Sequence, residues 1–375
     1  MRKKKQIYLF LIALVCLFIS CSKNNNSKSN QDAYIIPAKY ISVKNFGVIG
    51  DGKSDETAAF AKAQDYAYAN KIALFIPNGY YKINLELKYD SLYIFGENKP
   101  ITRSDSLVNG TVIIGTINSK NKKFIQIENL GVWSHSDAII TGDELGNKPL
   151  YQKYLNLELL GTGYFGYKHG LLCQSGSNIN IENITVTSFF HGIAIRTSNV
   201  NIKNIIANKC GFTSIVVKSA MGGNEMAQNV KIEDVIINGD STDIYSRGGA
   251  ILVQSYDDNC NTKNITINNV KSYHGGVGTI LIEQRKGRVD SVNINNCFSY
   301  KAGDNPIRAS FDVLGAASNI YFNNCNSSFS NAIGYRTNKD ATNIRVIKSF
   351  ENGSKVAPYE GPFKFLELNN KILIQ

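Results

Sequence analysis

Four side chains able to bind or move charge recur at one place in a repeated phrase of the 375-residue sequence: Arg196 in GIAIRTS, Lys218 in SIVVKS, Gln254 in AILVQS and Glu283 in TILIEQ. PIRASF and AIGYRT continue the series with Ser310 and Arg336, and Gln174 stands one repeat before Arg196. Around them apolar and polar residues alternate. If Ile193 and Ile195 face a core, Arg196 and its counterparts face outward in one column, with neighbours ~4.8 Å apart. An arginine and a lysine one step apart suit elimination on a uronic acid. One cation neutralises the carboxylate as charge builds on it, and a base removes the adjacent carbon-bound proton. An ordinary lysine is protonated at neutral pH, so Lys218 can be the base only if Arg196 and partial burial lower its pKa.

Histidine is the other base available near neutrality. His169, His191 and His274 each stand before a glycine, in KHGLL, FHGIA and YHGGV, in the turn that enters the same strand; Tyr245 and Arg247 occupy that turn in an intervening repeat. The catalytic candidates are therefore Lys218, Arg196, His191 and Tyr245, the tyrosine as acid toward the leaving oxygen. Substrate-binding candidates are Arg247, Gln254, His274, Glu283, Arg308 and Arg336. A hydrolase would instead need two carboxyl groups flanking one bond, roughly 5 to 9 Å apart, and Asp257-Asp258 with Glu283 supply that alternative. A third reading, a carbohydrate-binding solenoid without catalysis, would use aromatic rings such as Tyr164, Phe165, Tyr167, Phe189, Phe190, Tyr256 and Tyr273. No cofactor or metal is expected. Calcium is the ion to consider, but hard cations take several oxygen ligands and the column offers one carboxylate, Glu283.

The elements that position these residues repeat from Ser177 onward. NINIEN at 178–183, VNIKN at 200–204, VKIED at 230–234, NITINN at 264–269, VNINN at 292–296 and NIYFNN at 319–324 are versions of one phrase. Asn183, Asn204, Asp234, Asn269, Asn296 and Asn324 thus share one turn position. Asn and Asp are the non-glycine residues that best tolerate a left-handed backbone there. Ile184, Ile205, Val235, Val270, Cys297 and Cys325 follow them and are expected to stack inward. Three short strands per coil predict an all-β fold, a right-handed single-stranded parallel β-helix over 41–375. Its open end must be covered. Residues 41–83 suit that cap: a strand, a helix starting near Ser54-Asp55 with Phe60, Ala63 and Ala67 on one face, then a strand and a turn at Gly79.

The phrase FGVIGDGKSDETAAF followed by FIPNGYYKI resembles the start of the pectate-lyase-like β-helix superfamily, which holds polysaccharide lyases, polygalacturonases, isomerases and tailspikes. The resemblance covers most of the chain at the level of fold, with its motif confined to about 41–83. In its chondroitinase-B and alginate-lyase group, a lysine base and an arginine act from neighbouring rungs with acidic calcium ligands nearby. Lys218 and Arg196 are similar as a pair, in reversed order and without that acidic cluster. Of the polygalacturonase motifs, Asp257-Asp258 alone has a counterpart. The expected activity is a polysaccharide lyase, a carbon–oxygen lyase acting on uronic-acid polysaccharide and leaning to the glycosaminoglycans chondroitin, dermatan and hyaluronan over pectin or alginate.

Arg2-Lys3-Lys4-Lys5, an apolar run from Ile7 to Ile19 and Ser20-Cys21 read as a lipoprotein signal peptide over 1–20, with Cys21 lipidated and 21–40 a flexible tether. The protein is expected to be exported, on the outer membrane at the cell surface or periplasmic face. Without the four leader cations, 37 basic against 30 acidic residues leave +7. An exported basic surface concentrates polyanions, and outside the cell these are acidic polysaccharides rather than nucleic acid. The membrane is met through the lipid alone, and a monomer is expected. Setting aside Cys16 and Cys21 leaves five cysteines, read as buried apolar residues rather than bridges or ligands.

Overall fold

The computed structural model describes residues 39–375 except 144–148, 164–165, 220–225, 240–249, 259, 277, 303–308, 331–332, 370 and 375. The leader, Cys21, most of the tether, Tyr245, Arg247 and Arg308 lie outside the described residues. Among those described, strands assemble into two long, almost wholly parallel sheets of 19 and 11 members, joined coil after coil. This is the expected parallel β-helix.

The long strands of the larger sheet are each two straight stretches hinged at one residue. Ser177–Thr187, Ser198–Asn208, Ala227–Asn238 and Asn261–Tyr273 bend at Asn183, Asn204, Asp234 and Asn269. Farther on, the same corner separates Arg288–Asn295 from Phe298–Tyr300, and Ser318–Asn323 from Asn326–Ser328. All six corner residues have positive φ, between 52° and 59°. Their side chains bond along the helix axis: Asn204 Nδ2 donates to Asn183 Oδ1 at 3.0 Å, Asn269 to Asp234 at 2.6 Å and Asn324 to Asn296 at 2.8 Å. The ladder begins earlier than the repeated phrase suggests, since Asn156 donates to Asn129 at the same left-handed corner. A second left-handed corner, unread in the sequence, runs through Asn178, Asn199, Asn229, Asn264, Ser291, Asn319 and Asn343, with side-chain bonds from Asn229 to Asn199, Asn264 to Asn229 and Asn343 to Asn319.

Each corner turns the next residue inward. Ile184, Ile205, Val235, Val270, Cys297 and Cys325 are all buried in one continuous core. Cys173, Cys210, Cys260, Cys297 and Cys325 are buried and none is in a disulfide, so burial and not bridging accounts for them.

Over the first coil lies a helix, Thr57–Asn70, with Phe60, Ala63 and Ala67 fully buried. It starts later than Ser54-Asp55 because Asp51–Asp55 is extended and pairs with Gly79–Lys82. Asp51 instead closes a turn, accepting from the backbone N–H of Lys53 and Ser54 at 2.8 Å each. These bonds to its charged form hold its carboxyl down at about 2. Asp55 accepts from Thr57 N at the helix start, whereas Glu56 folds back to accept from Gly50 N at 2.7 Å.

Replacing a corner asparagine should be costly out of proportion to its exposure. Asn204→Ala puts an ordinary residue at φ 55°, a cost of about 1–2 kcal/mol, and loses ladder bonds worth about 1 kcal/mol. The urea midpoint is expected to fall, and to fall less for Asn204→Gly, since glycine is at ease in that conformation.

Candidate active site

The outer face of the 11-strand sheet carries the candidate residues. Ile193, Ile195, Ile215, Val217, Ile251, Val253, Ile280 and Ile282 fill the core behind it. Alternation sends Ala194, Val216, Leu252 and Leu281 outward, where they form a second apolar cluster with Leu172. Two residues along each strand lies the polar column. Lys218 pairs with Gln254 and Gln254 with Glu283; Arg196 follows the Ile195–Val217 pair and so stands beside Lys218. The apolar cluster keeps water from one side of these groups, which sharpens every charge interaction among them.

The column ends at Glu283, earlier than the alternation predicts. Its partner on the next strand is Leu314. Ser310 is buried and accepts from Ser327, and Arg336 pairs with Asp312, two places earlier along the strand. The strand that PIRASF suggests begins instead at Ala309 and runs to Leu314, with Phe311 and Val313 inward. Arg336 is committed to buried Asp312, its Nε donating to Oδ1 at 2.9 Å. It lies on the same outer face as Lys218 but in the row of Leu281, outside the column.

The histidines separate in the same way. His169 and His191 are register partners, their rings stacked at 5.2 Å. A Cβ on Gly192 would strike core Val186 and Cys210, so Gly192 and Ile193 both face inward. That break in alternation leaves His191 on the outer face, edge-on to the rings of Phe190 and Phe212. His274 occupies a left-handed corner instead, with φ 56° and its ring edge-on to Tyr300. Ser188, three residues before His191, is also left-handed, and the turn after His274 is longer, so the shared His-Gly dipeptide does not mean a shared place. His274 lies apart from the column.

Electrostatics distinguish the two candidate bases. Burial first, then Arg196 and Arg285, pull the Lys218 ammonium down to about 8. Roughly a tenth is then unprotonated at pH 7. His191 is driven down to about 2, by burial and then by His169, Lys218 and Arg196, so it is neutral at any working pH and a feeble base. Its Nδ1 meets Thr213 Oγ1 at 2.6 Å, while His169 is held by Asp137 at 2.8 Å.

Glu283 is spoken for: it accepts from Gln254 Nε2 and from Arg285 Nε, the latter at 3.0 Å. Asp258 is exposed and paired with Lys286 at 3.5 Å. Among the described residues no three His, Cys, Asp or Glu side chains converge to hold a metal ion. Of the aromatic candidates, Phe189 is core, while Tyr167 is 82% exposed beside Phe190. Sequence reasoning missed Arg285, Asp137 and Thr213. Arg285 was readable, since it stands two residues past Glu283 as Tyr256 stands two past Gln254.

A family model described as "Rhamnogalacturonase A/epimerase, pectate lyase-like" matches residues 40–235. Among curated proteins none matches. Similar solved structures include the mannuronan C-5 epimerase AlgE4 A-module of Azotobacter vinelandii, 16% identical over 87% of this chain and 100% of that one, with a TM-score of 0.56. The catalytic unit of a GH87 alpha-1,3-glucanase from Streptomyces thermodiastaticus is 13% identical over 86% of this chain and 65% of that one, TM-score 0.53. Tailspike protein 2 of Escherichia coli O157:H7 bacteriophage CAB120 is 14% identical over 83% and 42%, TM-score 0.51. At such identities the likeness is one of fold.

Titration of Lys218 is the direct check on this electrostatic arrangement. In isotope-labelled protein its midpoint should lie near 8. Arg196→Ala removes a like charge that disfavours the ammonium, so the midpoint should rise toward the ordinary lysine value; an unchanged midpoint would mean that Arg196 does not act on it.

Proposed function

The chain belongs to the rhamnogalacturonase A/epimerase, pectate lyase-like family, and we propose that it is a polysaccharide lyase cleaving uronic-acid polysaccharide by β-elimination, glycosaminoglycan ahead of pectin or alginate. The observation that carries this reading is Lys218, semi-buried beside Arg196, with its pKa brought down to about 8. Arg196 receives the uronate carboxylate and stabilises the charge that grows on it as C5 loses its proton. Lys218 Nζ takes that proton, the C4–O bond breaks, and a C4–C5 double bond remains. The leaving oxygen takes a proton from an acid, for which Tyr245 is the candidate. His191, neutral throughout, serves as a hydrogen-bonding wall rather than as the base. The +7 balance of the mature chain supports a polyanionic substrate, and the lean toward glycosaminoglycan rests on the sulfates that such a surface also attracts.

A C5 epimerase starts with the same proton abstraction and is the second reading; the family description names an epimerase beside rhamnogalacturonase A. Hydrolysis has less support, because Glu283 is engaged by Gln254 and Arg285 and Asp258 by Lys286. We also propose export and lipidation at Cys21; Cys21→Ala should release the protein from the membrane fraction and alter its processing.

Incubation with a panel of acidic polysaccharides should produce the ultraviolet absorbance of the conjugated double bond, a product of elimination alone. Turnover should rise with pH through about 8, as Lys218 loses its proton, and Lys218→Ala or Arg196→Ala should lower it by about 100-fold or more. Solvent-deuterium incorporation at C5 without absorbance would replace the lyase by an epimerase, and new reducing ends without absorbance would replace it by a hydrolase.

A further inference from the structure

We propose that Arg285 determines specificity by binding a second anionic group of the polysaccharide, a carboxylate or sulfate ester on a sugar other than the one Arg196 holds. The inference rests on the proposed lyase reading for the kind of chain that fills the groove. Arg285 directly follows the strand Ile280–Gln284, as Tyr256 follows Ala250–Ser255. Since Ser255 and Gln284 are register partners, Tyr256 and Arg285 occupy matching places on successive rungs.

Two side chains hold the guanidinium, and a third fixes one of them. Its Nε donates to Glu283 Oε1 at 3.0 Å, its plane lies over the Tyr256 ring at 5.4 Å, and Glu283 is itself fixed by almost fully buried Gln254. Half of the Arg285 side chain nevertheless remains exposed, 50%. A guanidinium held along one edge and one face presents its remaining N–H donors as a fork, the geometry that carboxylate and sulfate oxygens match. Pairing with Glu283 does not cancel its charge at the groove, because Arg285 still acts on Lys218 as a positive neighbour. Glu283 stands three rungs beyond Arg196, ~14 Å at ~4.8 Å per rung. With the two arginines rooted that far apart along the sheet, the anion at Arg285 is assigned to a sugar other than the one Arg196 holds.

Calorimetric binding of acidic oligosaccharides together with steady-state kinetics tests this on the mature protein. Arg285→Ala should raise Kd and KM about tenfold, with kcat changing less than KM, and should weaken the salt dependence of binding. Arg285→Lys, which keeps the charge and loses the fork, should recover part of the loss. A sulfated and an unsulfated uronan separate the two anions: a loss confined to the sulfated polymer assigns Arg285 to sulfate, and a loss on both assigns it to carboxylate. Unchanged Kd and KM would overturn the proposal. So would a fall in kcat alone with a displaced pH profile, which would make Arg285 merely a neighbour of Lys218. Binding without elimination by the wild-type protein would sink the lyase reading while the Kd of Arg285→Ala still decides the role of Arg285; absence of any binding would overturn both.

Discussion

A parallel coil can be stacked on the next only if every coil bends at the same place, and bending there requires a backbone conformation that most L-residues resist. Asparagine meets the requirement twice over. It tolerates the left-handed corner, and its amide bonds to the corner below, as Asn204 does to Asn183 and Asn324 to Asn296. With the corners aligned, register passes from rung to rung, and residues far apart in sequence meet at strand spacing. Lys218, Gln254 and Glu283 are register partners for this reason alone.

What the frame then carries depends on the outer face. Inward positions are mostly apolar, with a few buried polar stacks such as Ser272, Ser299 and Ser327, and say nothing of chemistry. Outward positions on the smaller sheet divide into an apolar column, Leu172 to Leu281, and beside it a column of charge. That juxtaposition raises the cost of the Lys218 ammonium: water is withheld on one side and Arg196 and Arg285 repel it from others. Burial acts more strongly on His191, which is 3% exposed, and His169, Lys218 and Arg196 add to it, which turns a residue ordinarily suited to proton transfer into a neutral wall. Two nominal bases in one groove thus differ in which of them keeps useful basicity.

Tolerance of variation follows from the same construction. Corners hold the register while the turns between them differ in length, so a turn can grow without disturbing the coil. The stretches 220–225 and 240–249 both lie in the sequence between Lys218 and Gln254, the longest interval between neighbouring members of the column. Function on such a scaffold belongs to the side chains of a few rungs rather than to the scaffold itself.

Periodic features of the fold were legible in the chain because they repeat: the six corner residues, the inward residues behind them and the buried cysteines all follow from alternation and from the tolerance of Asn for positive φ. The helix at the open end was legible from Phe60, Ala63 and Ala67, although its start at Thr57 depended on Asp51–Asp55 pairing with Gly79–Lys82. Adjacency of Arg196 and Lys218 could also be counted out, since their repeats have equal length. Counting failed where turns change length or alternation breaks: Ser310 and Arg336 fell out of the column, His274 proved to be a corner, and His191 faces outward because Gly192 takes the inward place. Types and periods are properties of the chain and can be read along it. The depth at which Lys218 and His191 sit, the engagement of Glu283 by Gln254, and hence which group holds a proton at neutral pH, are set by neighbours supplied from other coils, and only the stacked structure brings those neighbours together.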